Sequence, residues 1–151
     1  KRNVRLVAPP LVSEIPVRYS VTVQAQIVIG ADADTRYGIL FDWLDTLRTY
    51  RLLASPAEDK LYLQKFTSTS GWTAVGAGEW TAALNNGLNI LRIERDGGAI
   101  RIYANDLLNP VAVVSDSTYT RGQAGVIIVA PDPLTGAAEA SFDNFMIEEL
   151  D

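Results

Sequence analysis

The chain has 151 residues and a net charge of −5, and it contains neither cysteine nor histidine. The absence of these two residue types excludes disulfides, Cys/His zinc sites and every catalytic arrangement that needs a thiolate or an imidazole. The acidic balance and the scattered arginines argue against a nucleic-acid partner, and no apolar run approaches the length that spans a bilayer, so membrane insertion is not expected.

The chain begins at Lys1, and its only methionine is Met146. We therefore expect it to be a segment of a longer protein, with other domains of that parent chain as its neighbours and any targeting signal outside it. Residues 1–16 contain three prolines and little periodicity, which predicts a linker or an edge segment. Residues 17–151 are long enough for a single domain with a sizeable core.

Short runs rich in Val, Ile, Tyr and Leu, bounded by turn-forming residues, predict strands along the whole chain. They cover residues 19–29, 37–43, 49–54, 60–66, 72–75, 88–95, 99–104, 111–114, 123–130 and 140–149. The Asp-Gly-Gly segment at 96–98 predicts a tight hairpin, because glycine adopts positive φ at little cost. No segment carries a sustained apolar repeat at helical spacing. The pattern predicts an all-β fold: a two-sheet antiparallel β-sandwich or jelly roll.

The last predicted strand, AEASFDNFMIEEL at 138–150, contains an irregularity. Asp143 and Asn144 separate Phe142 from Phe145, which breaks the period of two that a strand needs to keep both rings on one side. We expect a β-bulge at Asp143-Asn144 that lets both phenylalanines face the core. The polar pair would then bond to neighbouring backbone.

Several segments occur in an order that is typical of one superfamily. They are YSVTVQAQI (19–27), YGILF (37–41), TYRLLAS (49–55), DKLYLQKF (59–66), the pair Trp72 and Trp80, NILRIERDGGAIRIYAND (89–106), RGQAGVI (121–127) and FDNF (142–145). Over residues 17–150 they resemble the concanavalin A-like lectin/glucanase superfamily, in particular laminin-G-like domains of large bacterial proteins. One departure is Asn105-Asp106, where the family often has Asn-Gly. Asp tolerates positive φ less well than Gly, so we expect a weaker turn there.

The resemblance implies a concanavalin A-like jelly roll that serves as a non-catalytic binding or adhesion module for carbohydrate or for a protein ligand. It also favours an extracellular or cell-surface location. A structural accessory domain without a soluble ligand is the alternative, and a glycoside hydrolase-related domain is a weaker one. Glucanases of the superfamily carry closely spaced carboxylates of the E-x-D-x-E kind on one strand. The nearest match is Glu94-Arg95-Asp96, where no third acid follows, so we do not expect an enzyme.

Calcium is the one cofactor that the resemblance suggests, because many domains of this superfamily bind it through Asp, Asn and backbone carbonyls. The ion takes six to eight oxygen ligands. The segment GADADTRYG (30–38) offers Asp32 and Asp34 in a loop, and Asp143 with Asn144 could approach them. A polar loop without metal is the competing interpretation.

A glycan site needs aromatic faces for stacking and a few polar groups for hydroxyls. If alternate residues of four predicted strands point outward and these strands share one sheet, a single concave face carries Arg51, Tyr62, Gln64, Arg92, Glu94, Arg101 and Tyr103. Trp72 joins the candidate ligand-binding residues Arg51, Tyr62, Arg92, Arg101 and Tyr103, because it follows the loop-like residues 68–71. The competing interpretation is a solvated sheet with Arg–Glu cross-strand pairs and tryptophans that pack at its edge.

Overall fold

The structure, a computed structural model, describes residues 3–6, 17–30, 34–130 and 138–151. These residues form eleven β-strands. In chain order they are β1 (Asn3–Leu6), β2 (Arg18–Ile29), β3 (Arg36–Asp45), β4 (Arg48–Ser55), β5 (Lys60–Thr67), β6 (Gly71–Thr81), β7 (Asn89–Asp96), β8 (Ala99–Ala104), β9 (Ala112–Ser115), β10 (Gln123–Ala130) and β11 (Glu139–Glu149). None of the described residues forms a helix long and apolar enough to cross a membrane.

The strands make two sheets in which all neighbours are antiparallel. The six-stranded sheet has the order β1-β10-β3-β4-β5-β6, and the five-stranded sheet has the order β11-β2-β7-β8-β9. Strands β3 to β6 and β7 to β9 each run as a meander. The chain passes from one sheet to the other between β1 and β2, β2 and β3, β6 and β7, β9 and β10, and β10 and β11. The prediction of an all-β, two-sheet antiparallel sandwich is confirmed.

The main core lies between the sheets and follows the period of two. A smaller, separate cluster of buried residues consists of Leu40, Leu53, Ile127 and Val129, with Trp43, Tyr62 and Trp72 packed against it. Alternate residues of each long strand point inward, and their side chains have almost no exposed surface. On five strands they include Tyr19, Val21, Val23, Tyr37, Ile39, Phe41, Tyr50, Leu52, Leu91, Ile93, Ile100 and Ile102. Each fully buried aliphatic or aromatic side chain contributes roughly 1.5–3 kcal/mol, so this layer supplies the main driving force for folding.

The first and sixth strands differ most from the predicted pattern. Within residues 1–16, β1 pairs with β10 at the edge of the six-stranded sheet, and residues 7–16 lie outside the described part of the chain. Strand β6 continues past residue 75 to Thr81, because Gly76 and Gly78 take positive φ values of 63° and 83° and carry the strand through a register shift. A Cβ on Gly76 would also meet a methyl group of Val114 at 2.7 Å.

The predicted bulge in the last strand is confirmed. Strand β11 changes register against β2 after Asp143, and Asn144 has a φ of 52°. Phe142 and Phe145 both pack against the core as a result. The backbone N–H of Asn144 donates to Oδ1 of Asp143 at 2.7 Å, and its side-chain amide donates to Gln24 at 3.0 Å.

The turn after β8 does not have the expected weakness. The positive φ, 63°, belongs to Asn105 and not to Asp106. Asn105 accepts a hydrogen bond from the backbone N–H of Ile90 at 2.9 Å, and the Asp106 carboxylate accepts one from the backbone N–H of Leu108 at 2.9 Å. The expectation was wrong because Asp106 caps the loop with its side chain and has no need of glycine-like freedom.

An ion pair inside the sandwich joins the two sheets. Nε of Arg95 on β7 donates to Oδ2 of Asp42 on β3 at 2.8 Å, and neither side chain has exposed surface. The hydroxyl of Tyr19 donates to the other carboxylate oxygen, and Arg95 also donates to the carbonyl groups of Gly98 and Tyr119. Burial raises the pKa of the Asp42 carboxyl, while the hydrogen bonds from Tyr19 and Arg95 oppose that rise.

The Asp42→Asn substitution tests the importance of this pair. Asparagine tolerates the φ of 45° that Asp42 adopts, so the change removes charge with little backbone cost. We expect the free energy of unfolding to fall by about 3–5 kcal/mol, because Arg95 would be left as an uncompensated buried charge. Urea unfolding measures the loss.

The matched control is Asp45→Asn, which breaks the exposed Asp45–Arg48 ion pair. It should leave the unfolding midpoint almost unchanged, because exposed pairs contribute little. If the two variants were equally stable, the ion pair in the core would not have the role assigned to it.

Candidate functional site

The predicted ligand-binding residues do not share one face, so the single-face prediction is wrong. Strands β4, β5 and β6 belong to the six-stranded sheet, whereas β7 and β8 belong to the five-stranded sheet. The first group carries Arg51, Tyr62, Gln64 and Trp72, and the second carries Arg92, Glu94, Arg101 and Tyr103. The period of two indicates which side of a strand a residue occupies, but it does not indicate which sheet that strand joins.

On the outer face of the five-stranded sheet, the polar side chains contact one another and leave little surface for a ligand. Arg92 donates to Glu94 at 3.0 Å, and Tyr103 is only 5% exposed. Burial, followed by the neighbouring charge of Glu94, raises the pKa of Tyr103. Arg101 is half-buried beside them. Tyr103 therefore offers little ring surface to a ligand, and this face fits the interpretation of a polar sheet surface held by Arg–Glu contacts.

On the outer face of the six-stranded sheet, Arg51 links three strands. Its guanidinium lies 3.7 Å from the ring centroid of Trp72, and its Nε donates to Gln64 at 2.8 Å. Trp72 also makes an edge-to-face contact with Phe66, at 5.2 Å between ring centroids. Arg51 is 4% exposed, so the arginine and the indole fix each other's orientation. Trp72 lies within β6 and not in a loop, which corrects the basis on which it was selected.

A second arginine–aromatic stack lies on the same face. The guanidinium of Arg36 is 3.9 Å from the ring centroid of Tyr62, and Glu58 joins the two by accepting from Arg36 at 3.1 Å and from the Tyr62 hydroxyl at 2.6 Å. The hydrogen bond from Tyr62, followed by the contact with Arg36, lowers the pKa of Glu58. Burial and Glu58 together raise the pKa of Tyr62 to about 12.

A cleft of about 260 Å³, which we call the aromatic cleft, opens on this face beside the turn between β3 and β4. It is lined by Leu40, Trp43, Thr46, Thr49, Phe66, Trp72 and Ile127. Trp43 reaches it because the positive φ of Asp42 interrupts the alternation of β3. Simple alternation from Phe41 would have placed Trp43 in the core, so only the bulge at Asp42 could have revealed it. Trp80, in contrast, packs against the main core.

Of the predicted calcium ligands, the structure describes Asp34 and Asp143, which lie on different elements. Asp34 is an exposed residue before β3, and Asp143 is exposed on β11 opposite Gln24. Asp32 lies outside the described residues. Within the described ranges, no group of three or more acidic side chains is placed to hold a metal ion. Calcium binding stays a prediction.

A general acid requires a carboxyl group with a raised pKa. Among the described carboxyl groups with a shifted pKa, only that of Asp42 is raised, and Asp42 is sealed in the core. Glu94 and Asp96, the nearest match to a glucanase motif, form ion pairs with Arg92 and Arg18 at 3.0 Å and 2.8 Å.

No protein-family model and no curated protein sequence matches this chain. Solved structures do match it. Carbohydrate-binding module CBM66 from Bacillus subtilis is similar with 19% sequence identity and a TM-score of 0.74, covering 98% of this chain and 82% of that one. The likeness shows the fold. The shared fold is a jelly-roll β-sandwich of the kind found in lectins and carbohydrate-binding modules. The predicted concanavalin A-like fold is consistent with it.

Two further proteins of different names have similar structures. Sheep galectin-11 in complex with glycerol has 9% identity and a TM-score of 0.62, covering 97% of this chain and 96% of that one. The GH43 protein BlXynB from Bacillus licheniformis has 14% identity and a TM-score of 0.64, covering 89% of this chain but only 28% of that one. The likeness to a laminin-G-like domain stays a prediction.

The cluster formed by Glu58, Arg36 and Tyr62 leads to a prediction about how the stability of the protein depends on pH. The folded-state pKa of Glu58 lies below its ordinary value of 4.5, so its stabilising effect is present above about pH 4.5 and is lost as the pH falls through the folded-state pKa. Glu58→Gln should therefore have a lower melting temperature than the wild type at pH 7, and the two curves should converge once the pH is below the folded-state pKa of Glu58.

Glu148→Gln is the matched control, because Glu148 is an exposed residue near the end of β11. Its melting temperature should follow that of the wild type throughout. A difference between Glu58→Gln and the wild type that stayed constant from pH 7 to pH 2 would contradict the assignment of charge to this cluster.

Proposed function

We propose that the chain is a non-catalytic carbohydrate-binding module whose ligand lies on the outer face of the six-stranded sheet. The observation that carries the proposal is the pair of arginine–aromatic stacks on that face, Arg51 on Trp72 and Arg36 on Tyr62. A sugar presents an apolar ring face and several hydroxyls, and it is bound by aromatic surface next to a few fixed polar groups. This face supplies both on adjacent strands.

The polar groups of the face are held in place before any ligand arrives. Gln64 accepts from Arg51 through its side-chain oxygen, and among the described residues its amide nitrogen makes no hydrogen bond, which leaves it as a donor to a sugar hydroxyl. The Glu58 carboxylate, fixed by Arg36 and Tyr62, is an acceptor. Fixed groups lose little side-chain entropy on binding, so a small number of contacts suffices.

The similarity in fold to a carbohydrate-binding module and a galectin supports this direction. At 19% and 9% identity it concerns the fold alone, so the proposal rests on the side chains of the face. We place the module in an extracellular or cell-surface protein, beside other domains of a longer parent chain, where polymeric glycans are accessible. The ion-paired carboxylates Glu94 and Asp96 and the lowered pKa of Glu58 support binding without hydrolysis.

Titration calorimetry against a panel of soluble oligosaccharides, with calcium and with EDTA, tests the proposal. In Gln64→Ala we expect the affinity for any glycan that binds to fall roughly 5- to 100-fold, which corresponds to the loss of one or two hydrogen bonds to a ligand. Tyr62→Phe, which removes the hydroxyl that orients Glu58, should weaken binding less.

Arg101→Ala is the matched control. Arg101 is a half-buried arginine on the outer face of the other sheet, so its loss should leave the affinity unchanged. If Arg101→Ala lowered the affinity as much as Gln64→Ala, the proposal would have assigned the site to the wrong sheet. Failure of every glycan to bind, with and without calcium, would favour the structural accessory domain instead.

A further inference from the structure

The aromatic cleft lies next to the proposed sugar site but has different chemistry. Among the described residues, five of the seven that line it are aliphatic or aromatic, the other two are Thr46 and Thr49, and none carries a charge. Trp72 belongs to both sites, because its ring is stacked by Arg51 and also lines the cleft. A molecule that reached from one site into the other would pass over this indole.

The cleft has little hydrogen-bonding capacity. The Thr49 side chain is 3% exposed, and its hydroxyl is already engaged with the carbonyl groups of Phe41 and Tyr50 at 3.2 Å and 3.1 Å. Thr46, which is exposed, carries the other hydroxyl in the described part of the lining. A sugar ring buried here would leave most of its hydroxyls without partners, at about 1–3 kcal/mol each. The cleft therefore suits an apolar group and not the sugar itself.

The volume of the cleft limits the size of the apolar group that it can hold. An apolar cavity of about 150 Å³ holds a benzene molecule, and pockets for drug-sized ligands begin at about 300 Å³. A cleft of about 260 Å³ accommodates one phenyl-sized ring with its linking atom. The rings of Trp43, Phe66 and Trp72 surround it on several sides, which favours a planar aromatic group that can make offset or edge-to-face contacts.

We propose that the aromatic cleft binds the uncharged aryl substituent of a glycoconjugate whose sugar lies beside Arg51 and Gln64. The inference rests on the proposed function and deepens it, since it names the class of ligand. It requires the aryl group and the sugar to be linked closely enough for both to contact Trp72, as in an aryl glycoside.

The test compares 4-fluorophenyl glycosides of glucose, galactose, xylose and fructose with the methyl glycosides of the same sugars, and with 4-fluorophenol alone. Fluorine-19 NMR and tryptophan fluorescence report binding. For the sugar that binds, we expect the aryl glycoside to bind at least about tenfold more tightly than the methyl glycoside, because burial of a phenyl-sized ring adds hydrophobic free energy.

Two variants locate the aryl group. Thr46→Phe places a ring at an exposed position in the cleft and should lower the affinity for the aryl glycoside about tenfold. Thr81→Phe, the matched control, makes the same change at an exposed position at the opposite end of β6 and should leave that affinity unchanged. Because both positions are exposed, neither substitution threatens the fold.

The outcomes separate this inference from the proposed function. Equal affinity for methyl and aryl glycosides would overturn the inference and leave the sugar site standing. Equal binding of all aryl glycosides and of 4-fluorophenol would overturn the link to a glycoconjugate and count against the sugar site. Absence of aryl binding together with concentration-dependent sedimentation would show that a second copy of the chain covers the cleft, and would also overturn the inference.

Discussion

The ion pair between Asp42 and Arg95 is the constraint on which the arrangement of both sheets depends. Two opposite charges without exposed surface are stable only when each is paired and its remaining hydrogen-bonding positions are filled. Tyr19 from one sheet and the loop carbonyl of Tyr119 fill those positions. The pair therefore fixes the position of β3 relative to β7 across the sandwich. A purely apolar interface would allow the two strands to slide past each other.

The bulge that admits Asp42 to the core also builds the candidate site. The positive φ of Asp42 turns its carboxylate inward and directs Trp43 to the outer face, where it lines the aromatic cleft. One backbone irregularity thus supplies a buried acid on one side of the sheet and an aromatic wall on the other. Bulges commonly redirect side chains near functional sites. Here the same bulge both buries the Asp42 carboxylate and brings Trp43 into the lining of the aromatic cleft.

Local signals were sufficient for most of the strands, though not for β1 or the second half of β6. They were also sufficient for the hairpin at 96–98, where Gly97 has a φ of 58°, and for the bulge at Asp143-Asn144. Each of these depends on a few adjacent residues. The inward position of Arg95 was also available, because it continues the alternation of Leu91 and Ile93, but its buried partner Asp42 is far away in sequence. The division of the predicted ligand-binding residues between two sheets could not be read from the sequence, because packing decides which distant strands pair.

The two outer faces have similar compositions, but Arg92 and Arg51 have different partners. Arg92 pairs with a carboxylate beside a buried tyrosine, and that arrangement satisfies its own charges and leaves little for a ligand. Arg51 is stacked on an indole and bonded to the side-chain oxygen of Gln64, which fixes both the aromatic ring and the side-chain amide of Gln64 in position. Association costs the conformational freedom of every group that it immobilises, so side chains that are already fixed, as they are around Arg51, favour the proposed site on the six-stranded sheet.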